Sequence, residues 1–125
     1  MKSTCWVLLD TETTGFKKPV YVVEIGAQRM RGWEPEGPSF QMLLNQNADI
    51  PPEASRVHGY TREILERDGE TADLVYEAFR DYADGLPLVA YNNSYDLDDV
   101  LLPEWDRLGI EKIGSKGFCA LRLAQ

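Results

Sequence analysis

The sequence predicts an α/β fold in which helices pack on a mixed β-sheet. Three strand-like runs follow one another with short connections in the first 45 residues, which favours antiparallel pairing. The remainder alternates helical and strand-like patterns, which adds parallel strands to the sheet. With 125 residues, 43% of them hydrophobic, the chain has room for one core. We therefore expect a single domain over residues 1–125.

The first three strands are predicted from short apolar and β-branched runs. Thr4 to Asp10 has the pattern of a buried strand, and Val20 to Arg31 that of a longer one. The Gly and Pro content of Gly32 to Pro38 predicts a turn, and Ser39 to Asn45 is then the third strand.

Three helices follow in the middle of the chain. Their predicted bounds are Glu53 to Val57, Thr61 to Arg67, and Thr71 to Asp84. In the third helix, Val75, Phe79 and Tyr82 recur at helical spacing, which indicates a face packed on the core. Thr71 stands where a side chain can cap the first turn.

The last third of the chain returns to alternating elements. Leu86 to Tyr91 is predicted as a fourth strand, and a helix with an apolar face follows it. Pro103 should kink or split that helix, because proline removes a backbone donor and clashes with the preceding turn. Ile113 to Cys119 is a predicted fifth strand, and Leu121 to Gln125 resembles the start of another helix.

The acidic pair Asp10 and Glu12 lies at the end of the first strand. Residues two apart in a strand point to the same face, so the two carboxylates would stand side by side. Such like charges are neutralised by protons or by a cation. Two carboxylates on one face can bind the same divalent cation. The pair therefore predicts a divalent metal site.

A second acidic position, Asp96, follows the fourth strand. If the first and fourth strands are parallel neighbours, Asp96 would converge with Asp10 and Glu12 at one edge of the sheet. An acidic residue in the first turn of a helix also interacts favourably with the helix dipole, which would explain Asp96 without a functional role. The residues alone leave both interpretations open.

Charge and hydropathy exclude several classes of protein. A net charge of -8 argues against a protein that grips long stretches of nucleic acid backbone, because that mode relies on Lys and Arg. The apolar run near the start is too short for a membrane span or for the apolar region of a secretory signal. We expect a cytoplasmic protein that does not enter a membrane.

Two segments of the sequence resemble the motifs of a known family. Asp10 to Phe16 resembles the first motif of the DEDD exonucleases of the DEDDh type, the group that includes the proofreading subunit of bacterial DNA polymerase III. Tyr91 to Asp96 resembles the second motif. Val23 to Ala27, Glu53 to Thr61 and Phe118 to Ala124 are similar to family segments in the same order. Together the spacing makes chance an improbable explanation.

The resemblance implies a ribonuclease H-like fold and stepwise hydrolysis of terminal phosphodiesters from a single-stranded 3′ end of DNA or RNA. It implies two Mg²⁺ or Mn²⁺ ions and a place in DNA replication or repair. The catalytic and metal-binding residues would be Asp10, Glu12 and Asp96. The residues that contact the substrate would be Thr13, Thr14, Gly15, Phe16, Glu53, His58 and Asn92.

The sequence departs from the family at its third motif, a general-base His followed five residues later by a metal-binding Asp. No such pair follows the fifth strand, and His58, the one His of the chain, precedes Asp96. We expect a C-terminally incomplete fold and weak or absent activity, since general-base catalysis contributes roughly two to four powers of ten. An uncovered sheet face would attract a protein partner or a second copy of the chain.

Three functions from different classes are consistent with these features. The first is the exonuclease, and the second is a non-catalytic module of the same fold that binds nucleic acid ends or a polymerase-like partner. The third is a structural domain with an incidental acidic cluster. Binding of Mn²⁺ separates the third from the others, and cleavage of an oligonucleotide separates the first from the second.

Overall fold

A computed structural model of the chain describes residues 4–15, 18–90 and 94–119. The strands are β1 (Cys5–Thr13), β2 (Val22–Arg31), β3 (Glu34–Leu43), β4 (Pro87–Ala90) and β5 (Ser115–Cys119). The helices are α1 (Pro52–His58), α2 (Arg62–Asp68), α3 (Ala72–Ala83), a π-helical segment (Ser94–Leu101) and α4 (Leu102–Leu108). The predicted α/β class is confirmed.

The five strands form one mixed sheet in the order β3-β2-β1-β4-β5. β1 pairs antiparallel with β2, and β2 pairs antiparallel with β3. β4 lies parallel to β1 on its other side, and β5 lies parallel to β4. The predicted arrangement of three antiparallel strands followed by two parallel ones is confirmed. The ends of β1 and β4 therefore meet at the same edge.

The main core lies on one face of this sheet. Val7 and Leu9 of β1 pack there with Val75 and Phe79 of α3 and with Trp105 of α4. Because side chains alternate along a strand, the odd-numbered residues of β1 face this core and the even-numbered ones face the other side. The acidic pair consequently lies on the face opposite the core.

The opposite face is covered incompletely within the described part of the chain. Trp6, Met30 and Val89 form a small buried cluster there. Leu8 on the same face is 36% exposed, and Trp33, which packs edge-on against Trp6 at 5.8 Å between ring centroids, is 69% exposed. Among the described residues, this under-covered face therefore presents an apolar patch.

The connection between β2 and β3 is shorter than the sequence predicts. The pattern indicates a turn over Gly32 to Pro38, but β3 begins at Glu34, so the predicted turn is wrong from that residue onward. Pro35 and Pro38 lie inside β3 because it is an edge strand, where a missing backbone donor is tolerated. Gly32, with φ of +60°, makes the tight reversal.

The three middle helices are present, with one difference in capping. Thr71 occupies the N-cap position of α3 as predicted, but its side chain makes no capping hydrogen bond. Thr61 instead caps α2, since its hydroxyl accepts the Ile64 N–H at 3.2 Å.

Near Pro103 the chain changes from the π-helical segment to α4, so the predicted split of this helix is confirmed. The predicted helix start at Leu121 to Gln125 lies outside the described residues. Over the residues searched, no helix has the length and apolar character needed to cross a membrane.

Candidate active site

Asp10 and Glu12 are among the last four residues of β1, close to the sheet edge where β1 and β4 end. Leu9 is in register with Ala90, the last residue of β4. Asp10 is exposed, and its Oδ1 accepts the N–H of Thr11 at 3.0 Å. Glu12 is partly buried on the same face. The two carboxylates are therefore neighbours with access to solvent.

Burial and neighbouring negative charges raise the pKa of Glu12. Burial raises the pKa of the Glu12 carboxyl, and the neighbouring charge of Asp10 raises it further. His58 acts in the opposite direction, and Glu24, in register with Glu12 across the β1–β2 pair, adds to the rise. A proton or a cation at this position would relieve the repulsion.

The donor set of Asp10 and Glu12 fits a hard divalent cation. Mg²⁺ is commonly bound by one or two carboxylates, with waters and substrate phosphates as its other ligands. Among the residues that the structure describes, no group of three or more His, Cys, Asp and Glu side chains is close enough to hold a metal ion. The geometry therefore supports a two-carboxylate site that faces solvent.

Asp96 contacts the strand that carries this pair. Its side chain is 5% exposed, and its Oδ1 accepts the hydroxyl of Thr11 at 2.8 Å. Thr11 points to the core face, whereas Asp10 and Glu12 point to the other. A buried carboxylate requires donors, and the Thr11 hydroxyl supplies one. Asp96 thus contacts Thr11, the residue between Asp10 and Glu12, and the convergence of the three carboxylates stays a prediction.

A cavity of about 720 Å³ lies beside Glu12. Its walls are the end of β1 and one side of α1, and the residues lining it are Thr11, Glu12, Thr13, Thr14, Gly15, Pro51, Glu53, Ala54, Val57 and His58. Five of the residues expected to contact substrate are among them. Val57 on α1 is 80% exposed, which leaves an apolar side chain at the cavity that no described residue covers.

The loop after β1 shapes the floor of this cavity. Thr13 and Thr14 are buried, and their hydroxyl oxygens accept the backbone N–H groups of Gly15 and Tyr21, both at 3.1 Å. Gly15 has φ of +114°, a conformation that residues with a Cβ rarely adopt. These contacts fix the course of the backbone at the cavity.

His58 uses both of its ring nitrogens within the protein. Nδ1 accepts the N–H of Tyr60 at 3.0 Å, which leaves the proton on Nε2 in the neutral ring. Nε2 lies 3.0 Å from the carbonyl oxygen of Thr13 and donates to it. In this arrangement His58 joins α1 to the end of β1, and neither nitrogen is available to accept a proton from a substrate.

Two of the predicted substrate contacts, Phe16 and Asn92, lie outside the described residues. The structure also brings Thr11, Glu24 and Tyr60 to the site, which sequence patterns did not identify. A signal for Glu24 existed, because an acid in an apolar strand that pairs with the acidic strand is unusual. Nothing in the local pattern of Thr11 marks it as the partner of Asp96, 85 residues away.

Comparison with protein families gives one match that spans most of the chain. The exonuclease family RNase_T matches residues 7–107. DNA polymerase III subunit epsilon of Pasteurella multocida is 33% identical over 97 residues, which cover 73% of this chain and 38% of the relative. The same subunit of Salmonella typhimurium is 36% identical, with 73% and 40% covered. The chain thus spans about two fifths of the length of these relatives.

Two solved structures of exonuclease I share the fold of this chain. Escherichia coli exonuclease I in complex with an oligonucleotide superposes with a TM-score of 0.82 at 16% identity, covering 97% of this chain and 29% of that one. Exonuclease I of Methylocaldum szegediense has a TM-score of 0.80 at 16% identity, covering 97% and 28%. At this identity the likeness concerns the fold.

Proposed function

This chain belongs to the exonuclease family RNase_T, and from that premise we propose that it hydrolyses terminal phosphodiesters of nucleic acid from the 3′ end. The observation that carries the proposal is the position of Glu12, which lines the cavity and stands beside Asp10 on the same strand face. A carboxylate pair of which one member lines a nucleotide-sized cavity is suited to bringing a terminal phosphate to a cation.

Asp10 and Glu12 would hold Mg²⁺ or Mn²⁺, and a bound cation would supply charge stabilisation to the phosphate oxygens. Asp96 is proposed as the third catalytic carboxylate and as a ligand of a second ion. In this structure its Oδ1 accepts the hydroxyl of Thr11. The raised pKa of Glu12 supports a site built to receive positive charge.

The cavity is proposed to receive the last nucleoside of the chain. Its volume of about 720 Å³ lies in the range of small-molecule sites. Glu53 and Val57 on α1 offer a polar and an apolar contact at one wall, and the Thr13 to Gly15 backbone forms the floor. Phe16 and Asn92 remain part of the proposed contact set on the resemblance alone.

The charge of the protein limits how much nucleic acid it can hold. With a net charge of -8, binding to a long stretch of phosphates is unfavourable, whereas one terminal nucleotide with a cation avoids most of the repulsion. We therefore propose a single-stranded end as the substrate, in DNA replication or repair, with the cytoplasmic location expected from the sequence.

A second candidate function is a non-catalytic module that binds nucleic acid ends. Two observations favour it: the absence of a three-ligand group among the described residues, and the buried position of Asp96. A protein of this kind would use the same cavity and the same pair of carboxylates but would leave the phosphodiester intact.

Single-turnover cleavage distinguishes the two candidates. A 5′-labelled single-stranded oligonucleotide is incubated with excess protein and MnCl₂, using wild type, Asp10→Asn, and Asp73→Asn as the matched control on the exposed side of α3. The exonuclease proposal predicts products shortened one nucleotide at a time in wild type and Asp73→Asn, lost in Asp10→Asn or with EDTA. Binding without shortening would support the non-catalytic module, and internal cuts would contradict both.

A further inference from the structure

Helix α1 forms a wall of the cavity, yet none of its residues is buried. A helix of 7 residues is too short to be stable by itself, and most helices in proteins are held by an apolar face packed on the core. That contribution is missing for α1, whose Val57 is 80% exposed. The position of the wall must therefore depend on polar contacts.

Those contacts form a continuous chain at the C-terminal end of α1. The His58 ring donates to the Thr13 carbonyl and accepts the backbone N–H of Tyr60. The Tyr60 hydroxyl donates to Oε2 of Glu24 at 2.6 Å, and the Gln41 amide donates to the same oxygen at 2.5 Å. The network therefore connects β3 and β2 through the segment after α1 to the end of β1.

The rings of His58 and Tyr60 are also stacked, with centroids 5.3 Å apart and planes 28° apart. The backbone N–H that sets the tautomer of His58 and the hydroxyl bonded to Glu24 belong to the same residue. The hydrogen bond to Glu24 holds the Tyr60 side chain in place. It thereby also limits the movement of the Tyr60 backbone N–H that donates to the His58 ring.

The protonation state of Tyr60 keeps this contact intact. The hydrogen bond to Glu24 raises the pKa of Tyr60 to about 12, with burial adding to the rise. At neutral pH the hydroxyl is therefore a donor, and Glu24 is its acceptor. Since Glu24 is also in register with Glu12, the network ends next to the carboxylate that lines the cavity.

We propose that Glu24 and Tyr60 are positioning residues that hold α1 against β1 through His58 and so set the shape of the nucleotide cavity. Neither residue needs to touch the substrate. The ligand class, a nucleoside monophosphate, rests on the proposed function. The positioning itself is a property of the free protein and can be measured without any ligand.

The test compares three variants with one matched control. Tyr60→Phe removes the donor, Glu24→Ala removes the acceptor, and Glu24→Gln keeps an acceptor oxygen at the same place. The control, Tyr82→Phe, removes a hydroxyl that bonds Arg29 N–H and the Pro38 carbonyl away from the cavity. Far-UV circular dichroism and thermal unfolding check that each variant folds.

The first measurement uses the fact that the chain has one His. Nitrogen-15 NMR of its imidazole should show the Nε2–H tautomer in wild type, Glu24→Gln and Tyr82→Phe. In Tyr60→Phe and Glu24→Ala the two nitrogen shifts should move toward each other as the tautomers mix. Retention of the wild-type shifts in both of these variants would overturn the proposal.

The second measurement is binding of thymidine 5′-monophosphate with Mn²⁺. We expect its Kd to rise about tenfold in Tyr60→Phe and to stay within twofold in Tyr82→Phe. Both Glu24 variants also remove a negative charge opposite Glu12, so the role of Glu24 is measured by the NMR shifts alone. An equal loss in Tyr82→Phe would overturn the proposal, because the effect would then be general. If wild type binds no nucleotide while the NMR shifts change as expected, the proposed function fails and the positioning role stands.

Discussion

Glu12 lies beside Asp10 on one strand and opposite Glu24 on the next, so three carboxylates share a small area of the sheet. The spacing of Asp10 and Glu12 could be recognised from the sequence, because alternation along a strand is a local property. The place of Glu24 depends on strand register, and that of Asp96 on the packing of a distant segment. The sequence therefore predicts site residues whose arrangement depends on spacing within one strand, but not those that tertiary contacts bring to the site.

Glu12→Gln is expected to stabilise the metal-free protein at neutral pH. Because the folded-state pKa of Glu12 is raised above 4.5, its ionisation is less favourable in the folded chain than in the unfolded one. The ionised carboxylate thus costs stability at pH values above the raised pKa, and nothing below about 4.5, where both states are protonated. The side chain is partly exposed, so we expect a gain of about 0.5 kcal/mol.

Urea unfolding in EDTA between pH 4 and pH 8 measures this effect, with Glu34→Gln on the exposed edge strand as control. The advantage of Glu12→Gln should grow as the pH rises. A constant difference across this range, or a loss of stability at pH 8, would count against the electrostatic explanation.

Thr11→Val tests the hydrogen bond to Asp96. The substitution preserves the shape of a side chain that is 8% exposed but removes the hydroxyl donor from a buried carboxylate. We expect a loss of about 1–3 kcal/mol in the free energy of unfolding. Thr71→Val is the control, since the Thr71 side chain makes no capping bond. Equal stability of the two variants would show that the Thr11 bond contributes little.

At the scale of elements, α4 is attached to β2 by a buried carboxylate. Glu104 is 1% exposed, and its oxygens accept the Val22 N–H at 3.0 Å, the Gln46 amide at 2.8 Å, the Arg107 guanidinium at 3.2 Å and the Tyr76 hydroxyl. Burial raises the pKa of Glu104, although these donors act in the opposite direction. The contact fixes the element that directly follows the π-helical segment bearing Asp96.

Glu104→Ala should destabilise the protein strongly. Removing the carboxylate leaves the Tyr76 hydroxyl and the Val22 N–H buried without their acceptor, and loss of one member of a buried charged network typically costs about 3–5 kcal/mol. Chemical denaturation measures the difference against Asp106→Ala, an exposed acid on the same helix. A loss below about 1 kcal/mol for Glu104→Ala would contradict this role.

The order of elements could be predicted because apolar periodicity distinguishes strands from helices. β3 was predicted to begin too late because Pro35 and Pro38 suggested a turn, and only the sheet order makes β3 an edge strand. Glu104 escaped notice because the apolar stripe of its helix indicated core packing without showing that an acid shares it. The start of β3 and the burial of Glu104 both depend on tertiary contacts, which local sequence patterns do not show.

For the whole molecule, the sheet has one well-packed face and one that the described residues cover incompletely. The mixed topology followed from the sequence, since short connections require antiparallel strands and the intervening helices allow parallel ones. The chain spans about two fifths of the length of the DNA polymerase III epsilon relatives.

Leu8→Thr should reduce the exposed apolar area of the under-covered face. Leu8 is 36% exposed on the same strand face as Asp10, and Thr is a β-branched residue of the kind favoured in strands. We expect lower fluorescence of a bound hydrophobic dye and less self-association in ultracentrifugation. Leu74→Gln removes a similarly exposed apolar side chain from α3 and is the control. If both variants change dye binding equally, the sheet face has no special role.

Binding of Mn²⁺ tests the central claim, that Asp10 and Glu12 form a divalent metal site. Electron paramagnetic resonance of free Mn²⁺ is recorded during titration of wild type, Asp10→Asn and the control Asp73→Asn. The account predicts saturable binding in wild type and in Asp73→Asn, with at least a tenfold loss of affinity in Asp10→Asn. Equal binding by wild type and Asp10→Asn would contradict it.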